Sequence, residues 1–286
     1  MIQENQKFSF FGRHHTDRGR GTSGIVSVNC KGWLIRSLAQ IGNFHETLRH
    51  GEDAISIANE LQYPLSIVLA YYAVGVVALI KGDIDQAIAA LERSLTVCEK
   101  TEIPVQRPLV VSSLAAAYAH ATRFAEAVEL LESVADRNIW VTDEDRQPLP
   151  YGKVMRIVWE VEALMLSGRS DAAVAAVQRV LPVSEASKDK GSEAWLRCLL
   201  GDLVTCLDQR ALKEAEANYT VALDLAQKLG MRPVEARCRL GIGQLHAKHS
   251  NLEGAREELT KAIDLYQSMS MPFWIAKANR ALAVVS

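Results

Sequence analysis

The sequence has few of the residues that build disulfide frameworks or aromatic-rich cores. Aromatic residues make up 6% of its 286 residues, and its five cysteines include no C-x-x-C pair. An odd number of cysteines, scattered through apolar segments, indicates reduced thiols in a protein core rather than disulfides. We therefore expect a cytoplasmic protein whose fold does not depend on cross-links.

A charge excess and catalytic motifs are also missing. The formal net charge is −2 and the pI is about 6.4, which excludes the basic character typical of proteins that bind nucleic acids or anionic membranes. The sequence contains neither a G-x-x-x-x-G-K-[ST] phosphate loop nor an H-E-x-x-H metal motif. The pair His246 and His249 lacks the further ligands that a metal site needs. We predict no catalytic residue, no metal, no cofactor, and neither a nucleic acid nor a membrane as partner.

One apolar run is long enough to need an explanation. Residues 66 to 80 are nearly all apolar, but a membrane-spanning helix needs about 20 such residues. The run lies between Pro64, which suits the first turn of a helix, and Gly82, which suits a helix end. We therefore predict a buried core helix.

The residues that are present favour an all-α fold. Apolar residues make up 49% of the chain, and alanine and leucine dominate them. In the clearest segment, residues 82 to 95, Gly82 ends one helix, and Asp83 with Gln86 has the spacing of a capping box for the next. Apolar residues then recur at helical spacing, so one face of this helix must be buried. The segment predicts a helical hairpin.

Weaker copies of this hairpin recur along the chain. A small residue takes the place of Ala87 at intervals of 40 to 46 residues, which gives six hairpins. In four copies a proline follows 17 or 18 residues later and marks the start of the next hairpin. Capping boxes are predicted at Asn43 and Ser250. The turn around Thr122 lacks glycine, so we expect the sequence to define its geometry less sharply. The small residues are Thr47, Ala87, Ala127, Ala173, Ala215 and Ala255, and the prolines are Pro64, Pro104, Pro233 and Pro272.

The hairpin of residues 82 to 95 resembles the tetratricopeptide repeat (TPR), which carries Gly-Asp-x-x-x-Ala in its turn. Gly82, Asp83 and Ala87 match that pattern, and Gly75 is the small residue on the preceding helix. The resemblance implies a right-handed all-α solenoid of about six hairpins, closed by a capping helix that starts at Pro272. We place the solenoid at residues 30–286, with an inserted loop at 138–150, and expect residues 1–29 to form a flexible tail.

The C-terminal third carries a narrower resemblance. Residues 229–233, 241–245 and 270–276 are similar to the maltose-regulator-like TPR arrays at the C-terminal end of bacterial class III adenylate or guanylate cyclase–ATPase signalling proteins. This sequence contains neither the cyclase nor the ATPase domain, so neither activity is implied. The resemblance implies only a regulatory array that binds a partner.

A solenoid of this kind offers a concave groove lined by the first helix of each hairpin. We expect a non-catalytic scaffold that binds a protein or peptide there. Two alternatives stay open: a sensor for a small molecule or signal peptide, and a detached regulatory segment of a cyclase–ATPase signalling protein. Lys248 is a further inward position beside the candidate binding residues, which are Arg36, Tyr72, Val76, His120, Glu162, Trp195, Asp202, Arg237 and Gln244.

Overall fold

The fold was analysed in a computed structural model that describes residues 24–101, 103, 106–135, 151–186, 188–207 and 212–285. Within these ranges every regular element is an α-helix, so the predicted all-α class is confirmed. The thirteen helices of the described residues are α1 (Val26–Gln40), α2 (Phe44–Glu60), α3 (Pro64–Lys81), α4 (Ile84–Lys100), α5 (Arg107–His120), α6 (Phe124–Ala135), α7 (Tyr151–Leu166), α8 (Ser170–Ala186), α9 (Lys190–Leu207), α10 (Leu212–Leu229), α11 (Arg232–Lys248), α12 (Leu252–Ser268) and α13 (Pro272–Val285).

Successive helices pack in pairs, and the pairs stack on one another as a TPR-like helical repeat array. The described residues form six hairpins, from α1 with α2 to α11 with α12, and α13 packs against α12. Trp274 and Ala278 are buried on the inner face of α13, as expected of a capping helix. The predicted loop at 138–150 lies outside the described residues.

A left-handed residue ends the first helix of most hairpins. Gly82 has φ +91°, and the N–H of Asp83 donates to the carbonyl of Ala78 at 2.9 Å, which satisfies the helix end. Thr122 has φ +62°, and the N–H of Arg123 donates to the carbonyl of Tyr118 at 2.8 Å in the same way. The turn without glycine is therefore as regular as the others, contrary to our prediction, because packing of the hairpin imposes its geometry.

The predicted capping boxes are wrong in detail. Neither Asn43 nor Asp83 makes a side-chain cap hydrogen bond, and the Asp83 carboxylate accepts instead from Lys81 Nζ at 2.7 Å. The N-cap of α12 is Asn251, whose side chain accepts from the N–H of Gly254 at 3.1 Å. Ser250 cannot take that place because its left-handed φ of +60° assigns it to the end of α11.

The first helix begins earlier than the predicted boundary at residue 30. Helix α1 starts at Val26, and Ile25 and Val28 are buried with Ala54 in a small second core. The N–H of Ile25 also donates to Ser66 Oγ at 2.9 Å. Residues 1–23 of the predicted tail lie outside the described residues.

The third hairpin also begins later than the proline spacing predicts. Helix α5 starts at Arg107, with Pro108 in its first turn. Pro104, to which the prediction assigned this role, lies outside the described residues.

The apolar run forms α3. Among the described residues, it is the one helix whose length and composition alone would allow it to cross a membrane. In this structure 67% of it is buried inside the protein, and it packs against α1, α2 and α4. The crossing with α4 depends on Gly75, where a Cβ would lie 2.5 Å from Leu91 Cγ. A small residue is therefore required at this contact, as the hairpin pattern predicts.

A lumen that closes at one side and opens at the other

The array curls until its two ends touch, which encloses a narrow lumen between the first helices of the hairpins. Helix α11 contacts α1, the turn that precedes α13 lies against the turn of the first hairpin, and the first turn of α13 lies against the turn of the second. A Cβ at Gly42 would overlap the side chain of Met269, and one at Gly82 would lie 2.9 Å from Phe273 Cβ. Glycine at these turns permits both the left-handed conformation and the close approach.

Two indole hydrogen bonds hold this closure. Trp195 Nε1 on α9 donates to Gln40 Oε1 at 2.7 Å, and the two residues are 155 positions apart. Trp274 Nε1 on α13 donates to the carbonyl of Ile80 at 3.2 Å, across 194 positions. The Ile80 carbonyl lies in the last turn of α3, where a helix leaves its carbonyls without an internal partner. The indole of Trp274 satisfies one of them.

A ladder of buried polar side chains crosses the lumen. Glu162 Oε1 accepts from Arg237 Nη1 at 2.5 Å and lies 3.2 Å from His120 Nε2. Arg237 also donates through Nη2 and Nε to Asp202 Oδ2, at 3.0 and 3.2 Å. Tyr219 completes the ladder because its hydroxyl donates to Asp202 Oδ1 at 2.7 Å. These five residues connect the third, fourth, fifth and sixth hairpins.

The electrostatics of the ladder keep Glu162 and Arg237 ionised. Burial alone would raise the pKa of Glu162, but the charge of Arg237, and then that of His120, holds it well below its usual range. Burial would likewise lower the pKa of Arg237, and Glu162 and Asp202 more than offset that effect. Burial and Asp202 both raise the pKa of Tyr219, which keeps the phenol protonated as a donor.

The structure brings most of the predicted inward residues together, but in a packed centre rather than in an open groove. Glu162, Tyr72, Val76 and Trp195 are between 1% and 4% exposed. His120 makes edge contacts with Phe273 and Trp274, with ring centroids 5.6 and 5.5 Å apart. The groove expected along the second to fourth hairpins is therefore closed, because aromatic side chains of α13 fill it.

Arg36 lies at the margin of this packed centre. Its guanidinium is 4.1 Å from the ring centroid of Trp33 and 5.5 Å from that of Tyr72. It therefore lies over two aromatic rings and joins none of the ion pairs of the ladder.

The lumen opens on its other side as a cleft between α9, α11 and α13. This cleft has a volume of about 570 Å³. Three of the nine predicted binding residues line it: Asp202, Arg237 and Gln244. Its apolar wall includes Met165, Leu166, Leu240, Ala281 and Val284.

Two lysines add positive charge to the cleft. Lys248, a predicted inward position, donates from Nζ to the carbonyl of Thr205 at 3.1 Å. Lys277 was missed by the sequence analysis, and its Nζ lies 5.2 Å from the ring centroid of Trp274. Lys277 follows Trp274 by three positions, and residues at that spacing are neighbours on the surface of a helix. The sequence of the capping helix therefore already indicates that the two side chains lie next to each other.

The geometry of the lumen does not suggest a metal centre. Within the described ranges, the His, Cys, Asp and Glu side chains form no group of three or more that could hold a metal ion. His246 lies in the last turn of α11 and His249 follows it. The described cysteines are all free thiols.

Comparison with known families identifies the repeat. The tetratricopeptide repeat family matches residues 68–101, which cover most of α3 and all of α4. No curated protein shows a significant match to the chain, and the resemblance to cyclase-associated arrays gains no support. Together with the all-α architecture, the family match supports a TPR protein. Such repeats generally mediate protein–protein interactions and are typically non-catalytic.

Proposed function

We propose that this protein is a non-catalytic interaction module that holds a peptide segment of a partner in the cleft between α9, α11 and α13. The observation that carries the proposal is the cleft itself, where inward positions of the repeat array remain accessible. Asp202, Arg237 and Gln244 line it beside an apolar wall. Ligand sites commonly combine a largely apolar surface with a few polar groups that fix orientation.

The polar floor of the cleft is preorganised. The guanidinium of Arg237 is fixed by Glu162 and Asp202, so binding need not order it. Gln244 is exposed and adds an amide that can both donate and accept hydrogen bonds from a peptide backbone. Val284 is 82% exposed and offers apolar contact at the rim.

Site-specific photo-crosslinking in the source cell tests this proposal. We expect benzoylphenylalanine at Leu166 or Val284 to give adducts that map to one segment of the same partner. The control position is Val221, an exposed apolar residue on α10 that does not line the cleft. A second control, Gln244→Trp, fills the cleft from an exposed position and should abolish the adducts. Adducts no stronger than those from Val221, or unaffected by Gln244→Trp, would contradict the proposal.

A small-molecule sensor is the second candidate, and the volume of the cleft favours it. About 570 Å³ lies within the range of roughly 300–1,000 Å³ that small-molecule pockets occupy. A metabolite that binds there should raise the melting temperature of the purified protein but not that of Gln244→Trp. An equal shift in both proteins would place the metabolite elsewhere.

A further inference from the structure

We infer that the cleft recognises a carboxylate carried on an apolar body, with the carboxylate held by Lys248 and Lys277. This inference rests on the proposed function, because it assumes that the cleft is a ligand site. It concerns the chemistry of the ligand, which the repeat architecture leaves open. Three features of the cleft support it: the charges that face the cleft, the partners that these charges already have, and the apolar residues that line it with them.

The charged groups in and directly behind the cleft do not balance. Arg237, Lys248 and Lys277 line the cleft with one carboxylate, Asp202, and a second carboxylate, Glu162, lies behind it. His120, beside Glu162, adds no negative charge. Arg237 directs hydrogen bonds to both carboxylates, and Asp202 accepts a further one from Tyr219. The ladder thus satisfies its own members, and the surplus of one positive charge falls on the lysines.

The two lysines are left with donor capacity. Lys248 directs one hydrogen bond to the Thr205 carbonyl, so two of its three N–H donors remain. Lys277 has an aromatic face beside it rather than an acceptor. Among the described carboxylates, none lies within 4 Å of either ammonium group.

The two ammonium groups act on the same region of the cleft. Burial, followed by Asp202, raises the pKa of Cys206, and the charges of Lys248 and Lys277 both oppose that rise. Lys248 Nζ is hydrogen-bonded to the carbonyl of Thr205, the residue before Cys206, and Lys277 and Cys206 line the same cleft. Burial, and then the charge of Arg237, lowers the pKa of Lys277, so its positive charge is costly without a counter-ion. A bound monoanion would offset this cost.

The rest of the cleft suits an apolar body. Met165, Leu166, Leu240, Val284 and the ring of Trp274 line it together with the two lysines. A carboxylate attached to an alkyl or apolar side chain satisfies both parts at once. Two sources share this chemistry: a small free organic acid, and an acidic side chain flanked by apolar residues in a partner's segment.

Methyl NMR of the intact chain tests the inference with matched charged and uncharged probes. The free-acid pair is hexanoate and hexan-1-ol, and the peptide pair is acetyl-Leu-Glu-Leu-amide and acetyl-Leu-Gln-Leu-amide. We expect the charged member of at least one pair to shift the Met165 methyl signal and to bind roughly tenfold more tightly than its uncharged partner, as one charge-assisted hydrogen bond predicts. The pair with the higher affinity identifies the source of the carboxylate.

Variants separate charge recognition from packing. Lys277→Met should remove the tenfold preference, Lys277→Arg should keep it, and Lys228→Met, a change at an exposed lysine on α10, should leave it unchanged. Equal affinities within both pairs, or an unchanged preference in Lys277→Met, would overturn the inference. If no probe shifts Met165 while cross-links from Leu166 and Val284 still converge on one partner segment, carboxylate recognition fails and the cleft stands. If both experiments fail, the proposed function fails as well.

Discussion

The two sides of the lumen use equivalent positions of the repeat for different purposes. On the closed side, inward residues such as Tyr72 and Trp195 are buried in the main hydrophobic core, which also includes Trp274 of α13. On the open side, Gln244 and Lys248 occupy inward positions of α11 and line a cleft. The difference arises in α13, where Trp274 lines both the closed side and the cleft, whereas Lys277 lines the cleft. A register position in such an array therefore does not determine whether its residue belongs to a core or to a site.

The ladder of His120, Glu162, Arg237, Asp202 and Tyr219 separates the two sides. Aromatic contacts dominate behind it, including Trp159 with Trp195 at a centroid distance of 5.9 Å and Tyr266 stacked on Trp274 at 6.1 Å. Buried ionic contacts and close steric contacts should therefore hold the closed side together, whereas the open side should serve binding.

Arg237→Met should cause the largest loss of stability. It leaves Glu162 without its buried cationic partner, and breaking a buried ion pair in this way costs about 3–5 kcal/mol. Arg239→Met is the matched control, because Arg239 pairs with Glu235 and Glu258 nearer the surface and its loss should cost about 1 kcal/mol or less. Urea unfolding measures both free energies of unfolding. Equal losses would mean that the ladder does not hold the lumen together.

Gly75→Ala and Gly241→Ala should each cost roughly 1–3 kcal/mol through overpacking, but with different effects on binding. A Cβ at Gly75 would lie 2.5 Å from Leu91 Cγ, far from the cleft, whereas one at Gly241 would overlap the Tyr219 ring that supports Asp202. We expect only Gly241→Ala to weaken cross-linking from Leu166 in the folded protein. Gly191→Ala is the control for both, because a Cβ there meets nothing closer than 3.8 Å. The same binding defect in both variants would contradict the division of the lumen.

Acid should weaken the closed side through Glu162. The pKa of Glu162 is lower in the folded protein than its value of about 4.3 in an unfolded chain. The unfolded state therefore takes up the proton first as the pH falls, so the stability from this group is fully present above about pH 5 and is lost below it. We expect roughly 1–2 kcal/mol of loss from this residue by pH 3. The free energy of unfolding of Glu162→Gln should fall less steeply between pH 5 and 3, and parallel curves would contradict the assignment.

Thr122→Gly should give the smallest effect and a gain in stability. Thr122 holds φ +62° in the turn between α5 and α6, a conformation that a β-branched residue adopts at a cost. Glycine removes that strain but loses more chain entropy on folding, so we expect a net gain of about 0.5–1 kcal/mol. Thr122→Ala, which keeps a Cβ, should gain less. Thermal unfolding of both variants separates these outcomes.

The sequence predicts much of the architecture because the architecture depends on local patterns. Small residues at helix crossings, such as Ala87, and apolar residues at helical spacing were sufficient to locate six hairpins and a cap. Left-handed Thr122 and Ser250 were not predictable, since packing rather than residue preference imposes their conformation. The predicted capping box at Asp83 does not form, because the Asp83 carboxylate accepts a hydrogen bond from Lys81 instead.

The closure of the lumen lay beyond what the sequence indicates. The repeat pattern predicts inward positions for both Glu162 and Arg237. These two residues are 75 positions apart, however, and their contact depends on the accumulated curvature of the intervening hairpins. The same is true of Trp274 and Ile80. Lys277 was not predicted because the sequence pattern of α13 indicates only a capping helix.

Exchange of the indole protons of Trp195 and Trp274, followed by NMR, tests the central claim most directly. Both indoles donate to partners in the first two hairpins, and both rings are buried, whereas Trp33 is 50% exposed. If the lumen is closed as described, the Trp195 and Trp274 protons should exchange at least about a hundredfold more slowly than that of Trp33. Exchange of either proton at the rate of Trp33 would show an open array and contradict the account.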